Sequence, residues 1–253
     1  MAYINVGALV QISAKYVSSE TPKTGAPPWH EIASIVLDMD GTLLDLHFDR
    51  EVWNRLLPQR YASVSGTSIE AAHDEVARRL GRARGTLQWY SLDHWSERLG
   101  IDVPSLESEL EHLVQPRPGA IAFLDALQRS ELRVILATNA QPSSMRRKLE
   151  LTGIDRFFDD ITCAHNFGAC KEESAFWPAF TNELAIDPTT TLFIDDNHSV
   201  LEAAQRFGIA HLYGISYPSS QGPGVESDEF QCLSSFDELA FEGNCLALKS
   251  NID

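Results

Sequence analysis

The chain has few basic residues for its length. It contains 20 lysines and arginines against 36 aspartates and glutamates among 253 residues, which gives a formal net charge of −16. A charge of this sign opposes binding to nucleic acid or to an anionic membrane surface, and we expect neither as a partner. An anionic ligand must therefore be small and must be neutralised locally.

Long apolar runs and paired cysteines are also lacking. No apolar run reaches the roughly 18 to 20 residues of a membrane-spanning helix, and the N-terminus lacks the pattern of a secretory signal, so we expect a cytoplasmic protein. The cysteines show neither a CxxC spacing nor a matching histidine cluster, which favours free thiols over a zinc site or a disulfide framework. They are Cys163, Cys170, Cys232 and Cys245.

The second half of the chain alternates apolar strands with helices. This alternation predicts an α/β fold with a parallel sheet that is covered by helices on both faces. The predicted strands after the first one are 133–137, 160–164, 191–194 and 209–213. Four helices are predicted. The first follows Pro118, and the second spans 142–152 and is closed by Gly153. The third follows Lys171, and the fourth spans 198–207 and is closed by Gly208.

The segment that follows the first strand has helical periodicity and no strand-like runs. Thr67-x-x-Glu70 has the form of a capping box and opens a helix that should stop near Gly81. Gly100 ends a second apolar stripe, and a third helix is predicted over 105–114. The predicted domains are an extension (1–29), a core (30–46 and 117–220), an all-helical cap (47–116) and a C-terminal segment (221–253) with a short helix near 236–240.

The stretch 35–45 begins as an apolar strand. This strand ends in two carboxylates, Asp38 and Asp40. If the extended conformation persists, both side chains point to the same face and share one small volume. Like charges that close repel unless a cation lies between them, and carboxylate oxygens suit Mg²⁺. Gly41 lets the chain turn sharply there. An Asp-Gly turn with exposed acids is the alternative interpretation.

The predicted strand at 133–137 is followed by Thr138 and Asn139. A hydroxyl next to backbone N–H groups can hold a phosphate, although taken alone this pair reads as a simple turn. Lys171 is predicted to start the next helix. Alone it would be a surface lysine, but beside several carboxylates its ammonium would stay charged and bind a phosphoryl oxygen.

Two more acids, Asp195 and Asp196, follow the predicted strand at 191–194. Adjacent acids at the tip of a strand are also typical of a metal site. Either Asp196 or Asn197 can in addition cap the helix that follows. Ligands of parallel α/β sheets bind outside the carboxyl ends of the strands, which is where all of these polar groups fall.

Taken in order, these strand-end groups resemble the four signature motifs of the haloacid dehalogenase-like hydrolase superfamily. The matching stretches are Asp38-Met39-Asp40-Gly41-Thr42, Thr138-Asn139, Lys171 and Asp195-Asp196. The resemblance implies a Rossmann-like three-layer core, a Mg²⁺ cofactor and an aspartyl-phosphate intermediate.

The resemblance also implies a role for each residue. Asp38 would be the nucleophile, and Asp40 would protonate the leaving oxygen and later deprotonate the attacking water. Mg²⁺ would be held by the Asp38 carboxylate, the Asp40 main-chain carbonyl and Asp195. The remaining roles are phosphoryl binding by Thr138 and the backbone at Asn139, charge compensation by Lys171, and orientation of water or Lys171 by Asp196.

Asp40 narrows the reaction within the superfamily. The dehalogenating members lack an acid at this position, and the P-type ATPases have threonine there, so a phosphatase or phosphomutase remains.

There are two departures from the pattern. Cys170 and Glu172 flank Lys171 where many relatives have proline, and Pro178 lies in the predicted helix, which should kink or restart there.

Residues 38–49 and 87–100 resemble bacterial purine 5'-nucleotidases that act on GMP and IMP, so the implied substrate is a purine nucleoside monophosphate. Phosphoglycolate or sugar phosphates, a phosphomutase reaction and a non-catalytic binding module are the alternatives; the last requires loss of a motif residue, and none is lost. Aromatic residues of the insertion can stack on a purine, although helical spacing is more typical of core. They are Trp89, Tyr90, Trp95 and the pair His47 and Phe48. Arg82 and Arg84 can contact the base or the phosphate, or they can lie on a solvated helix end.

Overall fold

The computed structural model describes residues 26–239 and is organised around a sheet of six parallel strands. The strand order is β3-β2-β1-β4-β5-β6. In chain order the strands are β1 Ser34–Leu37, β2 Arg133–Thr138, β3 Asp160–Cys163, β4 Thr191–Ile194, β5 His211–Ile215 and β6 Gln231–Leu233. The predicted α/β fold with a parallel sheet is confirmed.

The central strand β1 is buried on both faces, as a parallel sheet between two helical layers requires. Ile35 and Leu37 face one apolar cluster and Val36 faces the other, which follows the two-residue period of a strand. In the register of the sheet, Leu37 lies beside Leu136 of β2 and beside Ile194 of β4. The carboxyl ends of these strands are therefore nearly level at the centre of the sheet.

Helices cover both faces of the sheet. The core helices are α6 Ala120–Gln128, α7 Pro142–Thr152, α8 Phe176–Glu183 and α9 His198–Phe207. As predicted, α7 ends at Gly153 and α9 at Gly208, both in the left-handed conformation that suits glycine. Asn197 caps α9, and its side chain accepts a hydrogen bond from the backbone N–H of Ser199.

The regular elements between β1 and α6 are all helical. The α-helices of this cap are α1 His47–Glu51, α2 Leu57–Ser65, α3 Ile69–Ala83, α4 Leu92–Leu99 and α5 Val103–Glu109. A π-helical segment, Val52–Leu56, joins α1 to α2 just before Pro58, whose ring would clash with the carbonyl of Asn54 in a regular α-helix. The apolar cluster on one face of the sheet continues into the cap through Trp95 and Val103.

Two cap helices differ from their predicted limits. Ser68 rather than Thr67 caps α3, because its hydroxyl accepts the backbone N–H of Ala71 at 3.2 Å. The helix continues past Gly81 to Ala83, and Gly81 does not have the positive φ of a glycine cap. Asp102 caps α5 through the N–H of Ser105, so that helix begins at Val103, earlier than predicted. It also ends earlier, at Glu109.

The prediction that Lys171 starts a helix is wrong. Residues 171–175 form turns, and α8 begins only at Phe176. Pro178 is the third residue of α8, where its missing N–H has no intrahelical partner to lose. The sequence prediction also missed β6, a three-residue strand that pairs in parallel with β5.

Several predictions fall at the edges of the described residues. Cys245, Ala240 and most of the predicted N-terminal extension lie outside them. Cys163, Cys170 and Cys232 are free thiols, as expected. No helix within residues 26–239 is long and apolar enough to cross a membrane. The predicted domain boundaries remain predictions.

The core beneath α8 allows a test of packing. Phe180 is fully buried and stacks on Phe176 with ring centroids 5.2 Å apart. We expect Phe180→Ala to lower the free energy of unfolding by about 3 to 5 kcal/mol, because it leaves a cavity. Urea denaturation measures this. Val64, 59% exposed on α2, provides the control, since Val64→Ala should change the value by less than about 0.5 kcal/mol. Equal effects of the two substitutions would contradict this account of the core.

Candidate active site

The ends of β1, β2 and β4 meet around the ammonium group of Lys171. Its Nζ donates hydrogen bonds to Asp38 Oδ1 at 2.5 Å, to Asp195 Oδ2 at 2.7 Å and to the carbonyl of Ala137 at 2.9 Å. The Lys171 side chain is only 1% exposed. Three of the residues that the sequence singled out are thus in direct contact, although 133 positions separate Lys171 from Asp38.

Two further contacts hold the backbone of Lys171 in place. Its N–H donates to Asn139 Oδ1 at 2.9 Å, and its carbonyl accepts the indole N–H of Trp177 at 2.9 Å. The other end of the Asn139 amide donates to Glu172 Oε2 at 2.9 Å. The Asn139 side chain therefore positions the Lys171 turn.

Asp38, Asp195 and Asp196 form a compact group of acids. One carboxylate oxygen of each lies within 4.8 Å of the others. Burial, the largest effect, raises the pKa of Asp38 to about 7. The charge of Asp195 also raises this pKa, and the opposite effect of Lys171 is too small to cancel the two. Burial also raises the pKa of Asp196, with repulsion from Asp195 adding to it. Buried carboxylates this close together repel one another when they are ionised. A hard divalent cation such as Mg²⁺ would offset that repulsion.

The acid group depends on a glycine. Gly41 has φ +87°, a conformation that residues with a Cβ rarely adopt. A Cβ added at Gly41 would lie 2.5 Å from Asp196 Cγ, which is closer than atoms can approach. Glycine thus provides both the turn and the room for the Asp196 carboxylate.

Asp40 is close enough to Asp38 for its charge to raise the pKa of Asp38, but it is not one of the three acids that lie within 4.8 Å of one another. β1 ends at Leu37, and the N–H groups of Leu43 and Leu44 both donate to the carbonyl of Met39, which closes a turn. The regular strand therefore does not continue through Asp40, which forms only an isolated bridge with Leu44. Asp40 Oδ1 instead accepts a hydrogen bond from Lys148 at 2.7 Å.

Thr138 ends β2 and is almost fully buried. Its hydroxyl oxygen accepts the N–H of Ala140 at 3.0 Å. Since the oxygen acts as acceptor in this bond, the hydroxyl proton can still be donated to a ligand oxygen. The local geometry is compatible with the predicted phosphate cradle, whose role stays a prediction.

Lys148 is a residue of the site that the sequence analysis missed. It lies on α7, its side chain is 4% exposed, and its Nζ is 2.7 Å from both Asp40 Oδ1 and Asp49 Oδ1. Burial alone would lower the pKa of Lys148, but the charges of Asp40 and Asp49 raise it. A signal was present, because Lys148 falls on the buried stripe of α7 with Met145 and Leu149.

The cap reaches the site through Tyr90, whose hydroxyl donates to Glu172 Oε1 at 2.5 Å. Burial raises the pKa of Tyr90, as does the nearby Glu172 charge, so this hydroxyl stays protonated. Of the other cap aromatics, Trp95 is buried and donates its indole N–H to the carbonyl of Trp89. Phe48 is buried beneath Lys148, with Nζ 4.9 Å from the ring centroid. Trp95 and Phe48 thus belong to the core, as helical spacing favours.

Buried carboxylates and a lysine thus lie together at the ends of parallel strands, next to the helical cap. A family model described as haloacid dehalogenase-like hydrolase matches residues 32–208. The chain therefore belongs to the haloacid dehalogenase-like hydrolases, and it is an enzyme of their phosphatase class.

Two curated relatives and one solved structure are similar to this chain. The GMP/IMP nucleotidase YrfG of Escherichia coli is 37% identical over 203 residues, which cover 80% of this chain and 90% of that protein. A phosphoglycolate phosphatase of Agrobacterium fabrum is 23% identical over 227 residues, covering 84% and 96% respectively. The fold is similar to that of a HAD phosphatase from Thermococcus onnurineus, with a TM-score of 0.67, 19% identity, and coverage of 79% of this chain and 93% of that one.

Gly41 gives a test of the acid group with a matched control. Gly66 also has positive φ, but no atom lies within 4 Å of an added Cβ there. Gly66→Ala should therefore show the backbone strain alone, about 1 kcal/mol, while Gly41→Ala should lose about 1 to 3 kcal/mol more because Asp196 must move. Urea unfolding compares the two variants. Equal losses would show that the contact with Asp196 has no effect.

Proposed function

We propose that the protein is a Mg²⁺-dependent phosphomonoesterase that works through a phosphorylated Asp38 and acts on purine nucleoside monophosphates such as GMP and IMP. The observation that carries the reaction is the buried contact of Lys171 with Asp38 and Asp195. This contact places a carboxylate nucleophile beside a fixed positive charge, in a site where electrostatic effects are strong.

In the first half-reaction, an Asp38 oxygen forms a bond to phosphorus while the bond from phosphorus to the substrate oxygen breaks. Lys171 offsets the negative charge that gathers on the carboxylate and the phosphoryl oxygens. Thr138 and the backbone at Asn139 hold those oxygens in line. Phosphoryl transfer depends mainly on such positioning and electrostatic stabilisation.

Asp40 supplies the proton that this step needs. The departing oxygen takes the Asp40 proton and leaves as a free hydroxyl group of the nucleoside. In the second half-reaction, Asp40 takes a proton from water as the water oxygen attacks phosphorus, which releases phosphate and restores Asp38. One carboxyl group thus acts first as acid and then as base.

Mg²⁺ fits the hard oxygen donors of the acid group, and its proposed ligands are the carboxylates of Asp38 and Asp195 and the main-chain carbonyl of Asp40. Asp196 lies in the same group and would orient water or Lys171. When bound, the ion supplies positive charge that offsets the repulsion between these acids and the phosphate.

The purine nucleotide is proposed from the relative that is 37% identical and covers the cap as well as the core. The relative named for phosphoglycolate supports a small-metabolite phosphatase as a second candidate. A sugar-phosphate substrate or a phosphomutase reaction would fit the same strand-end groups. A phosphomutase differs because it leaves a long-lived phosphoenzyme and no free phosphate.

A phosphate-release screen tests the proposal. Nucleoside monophosphates, phosphoglycolate and sugar phosphates are compared with and without Mg²⁺, and GMP and IMP should show the highest kcat/KM. Asp38→Asn should reduce turnover by at least about 10³-fold with the fold intact by circular dichroism, because the nucleophile is lost. Substantial turnover by this variant would refute the role of Asp38. Equal activity on phosphoglycolate would refute only the substrate.

Mg²⁺ binding can be measured without turnover. At a concentration about 100 times its Kd, Mg²⁺ should raise the free energy of unfolding by about 2.7 kcal/mol, because it binds only the folded protein. Asp195→Asn should abolish most of this rise. Asp74, whose side chain is 90% exposed on α3, is the control, and Asp74→Asn should keep the rise. If Asp195→Asn is stabilised as much as the wild type, Asp195 is not a ligand.

A further inference from the structure

Lys148 joins three parts of the molecule. It lies on core helix α7, while its two partners lie in the turn after β1 and in the first helix of the cap, α1. The Nζ to Oδ1 distance is 2.7 Å for Asp40 and 2.7 Å for Asp49. The lysine is thus the direct link between the proposed acid and the cap.

The surroundings of Lys148 are acidic on one side and apolar on the other. Glu107 of α5 also approaches it and accepts a hydrogen bond from the Ser144 hydroxyl at 3.0 Å. The Phe48 ring lies on the other side. A buried ion pair is weak evidence for stability, since apolar residues of similar size often stabilise a core as well or better. The observations therefore favour a functional reason for this buried lysine.

We infer that Lys148 is a positioning residue for Asp40: it fixes the carboxyl group for proton transfer to the leaving oxygen, and Asp49 ties this geometry to the docked cap. The inference rests on the proposed acid role of Asp40. It adds a residue outside the four strand-end groups.

The Asp40 carboxyl group needs a partner outside the sheet to fix its position. Its side chain is 19% exposed and extends from a turn rather than from the sheet, so the sheet does not fix its rotamer. Proton transfer requires hydrogen-bond distance and alignment, and a small misplacement slows it greatly. The bond from Lys148 to Oδ1 holds one carboxylate oxygen and leaves Oδ2 to carry the proton.

The neighbouring residue on α7 provides a matched control. Arg147 also crosses from core to cap, where its Nε and Nη2 donate to Glu111 at 2.7 Å each. Its ion-pair partners are Glu111 and Glu150 rather than Asp40, and its side chain is 49% exposed. Removing Arg147 tests loss of a cap-to-core ion pair without loss of the Asp40 contact.

The experiment compares kcat/KM for two esters, GMP and p-nitrophenyl phosphate, in the wild type and in Lys148→Met, Asp49→Asn and Arg147→Met. Nucleoside is a poor leaving group that needs a proton, whereas p-nitrophenolate leaves without one. The ratio kcat/KM covers only the steps up to departure of this group. A residue that acts through the acid should therefore affect the two esters unequally, which a structural role would not do.

We expect Lys148→Met to lose about 10- to 100-fold in kcat/KM on GMP and less than about 3-fold on p-nitrophenyl phosphate. Asp49→Asn should lower kcat/KM by a smaller factor, again more on GMP than on p-nitrophenyl phosphate. Arg147→Met should change kcat/KM on either ester by less than about 3-fold. Equal losses on both esters, or no loss on GMP, would overturn the inference. If Lys148→Met does not fold by circular dichroism, Asp49→Asn decides, and an unselective result there overturns it.

The wild type separates this inference from the proposed function. A wild type that releases no phosphate from either ester overturns the phosphatase mechanism and the Lys148 inference with it. A wild type that hydrolyses p-nitrophenyl phosphate and another alkyl phosphate better than GMP overturns only the substrate. The comparison of variants then uses that alkyl phosphate, with the same expected selectivity.

Discussion

The contact of Lys171 with Asp38 and Asp195 is the interaction on which the rest of the site depends. A lysine that is 1% exposed would be strongly destabilising without opposite charges close by, and two buried aspartates would be so without the lysine. Each group makes the burial of the others possible. The parallel sheet makes the contact geometrically possible, since it brings the ends of β1 and β4 side by side.

The turn after β1 then separates the two acids of the first motif. Because the chain turns at Met39 and Gly41, Asp38 stays with the strand ends while Asp40 faces α7. Two carboxyl groups only two positions apart thus meet different lysines and different surroundings. This separation suits the different tasks that we propose for them, since one attacks phosphorus and the other handles protons.

Polar contacts along one side of α7 connect the cap to this arrangement. Lys148 contacts Asp49, Ser144 contacts Glu107, and Arg147 contacts Glu111. A shared apolar cluster also runs from the sheet into the cap. The cap and Asp40 therefore both contact the same helix.

Local sequence patterns were enough to predict the α/β class, the limits of β4, α7 and α9, and the strand-end residues. These features follow from periodicity, glycine caps and short motifs. The pairing of each acid with its lysine, in contrast, became visible only in the folded protein. Lys148 falls on the apolar stripe of α7, but no local pattern shows which carboxylates it contacts, and its partner Asp49 is 99 positions away. Likewise β6 is too short to give a clear local pattern and forms by pairing with β5. Contacts between distant segments depend on packing, which local sequence patterns do not encode.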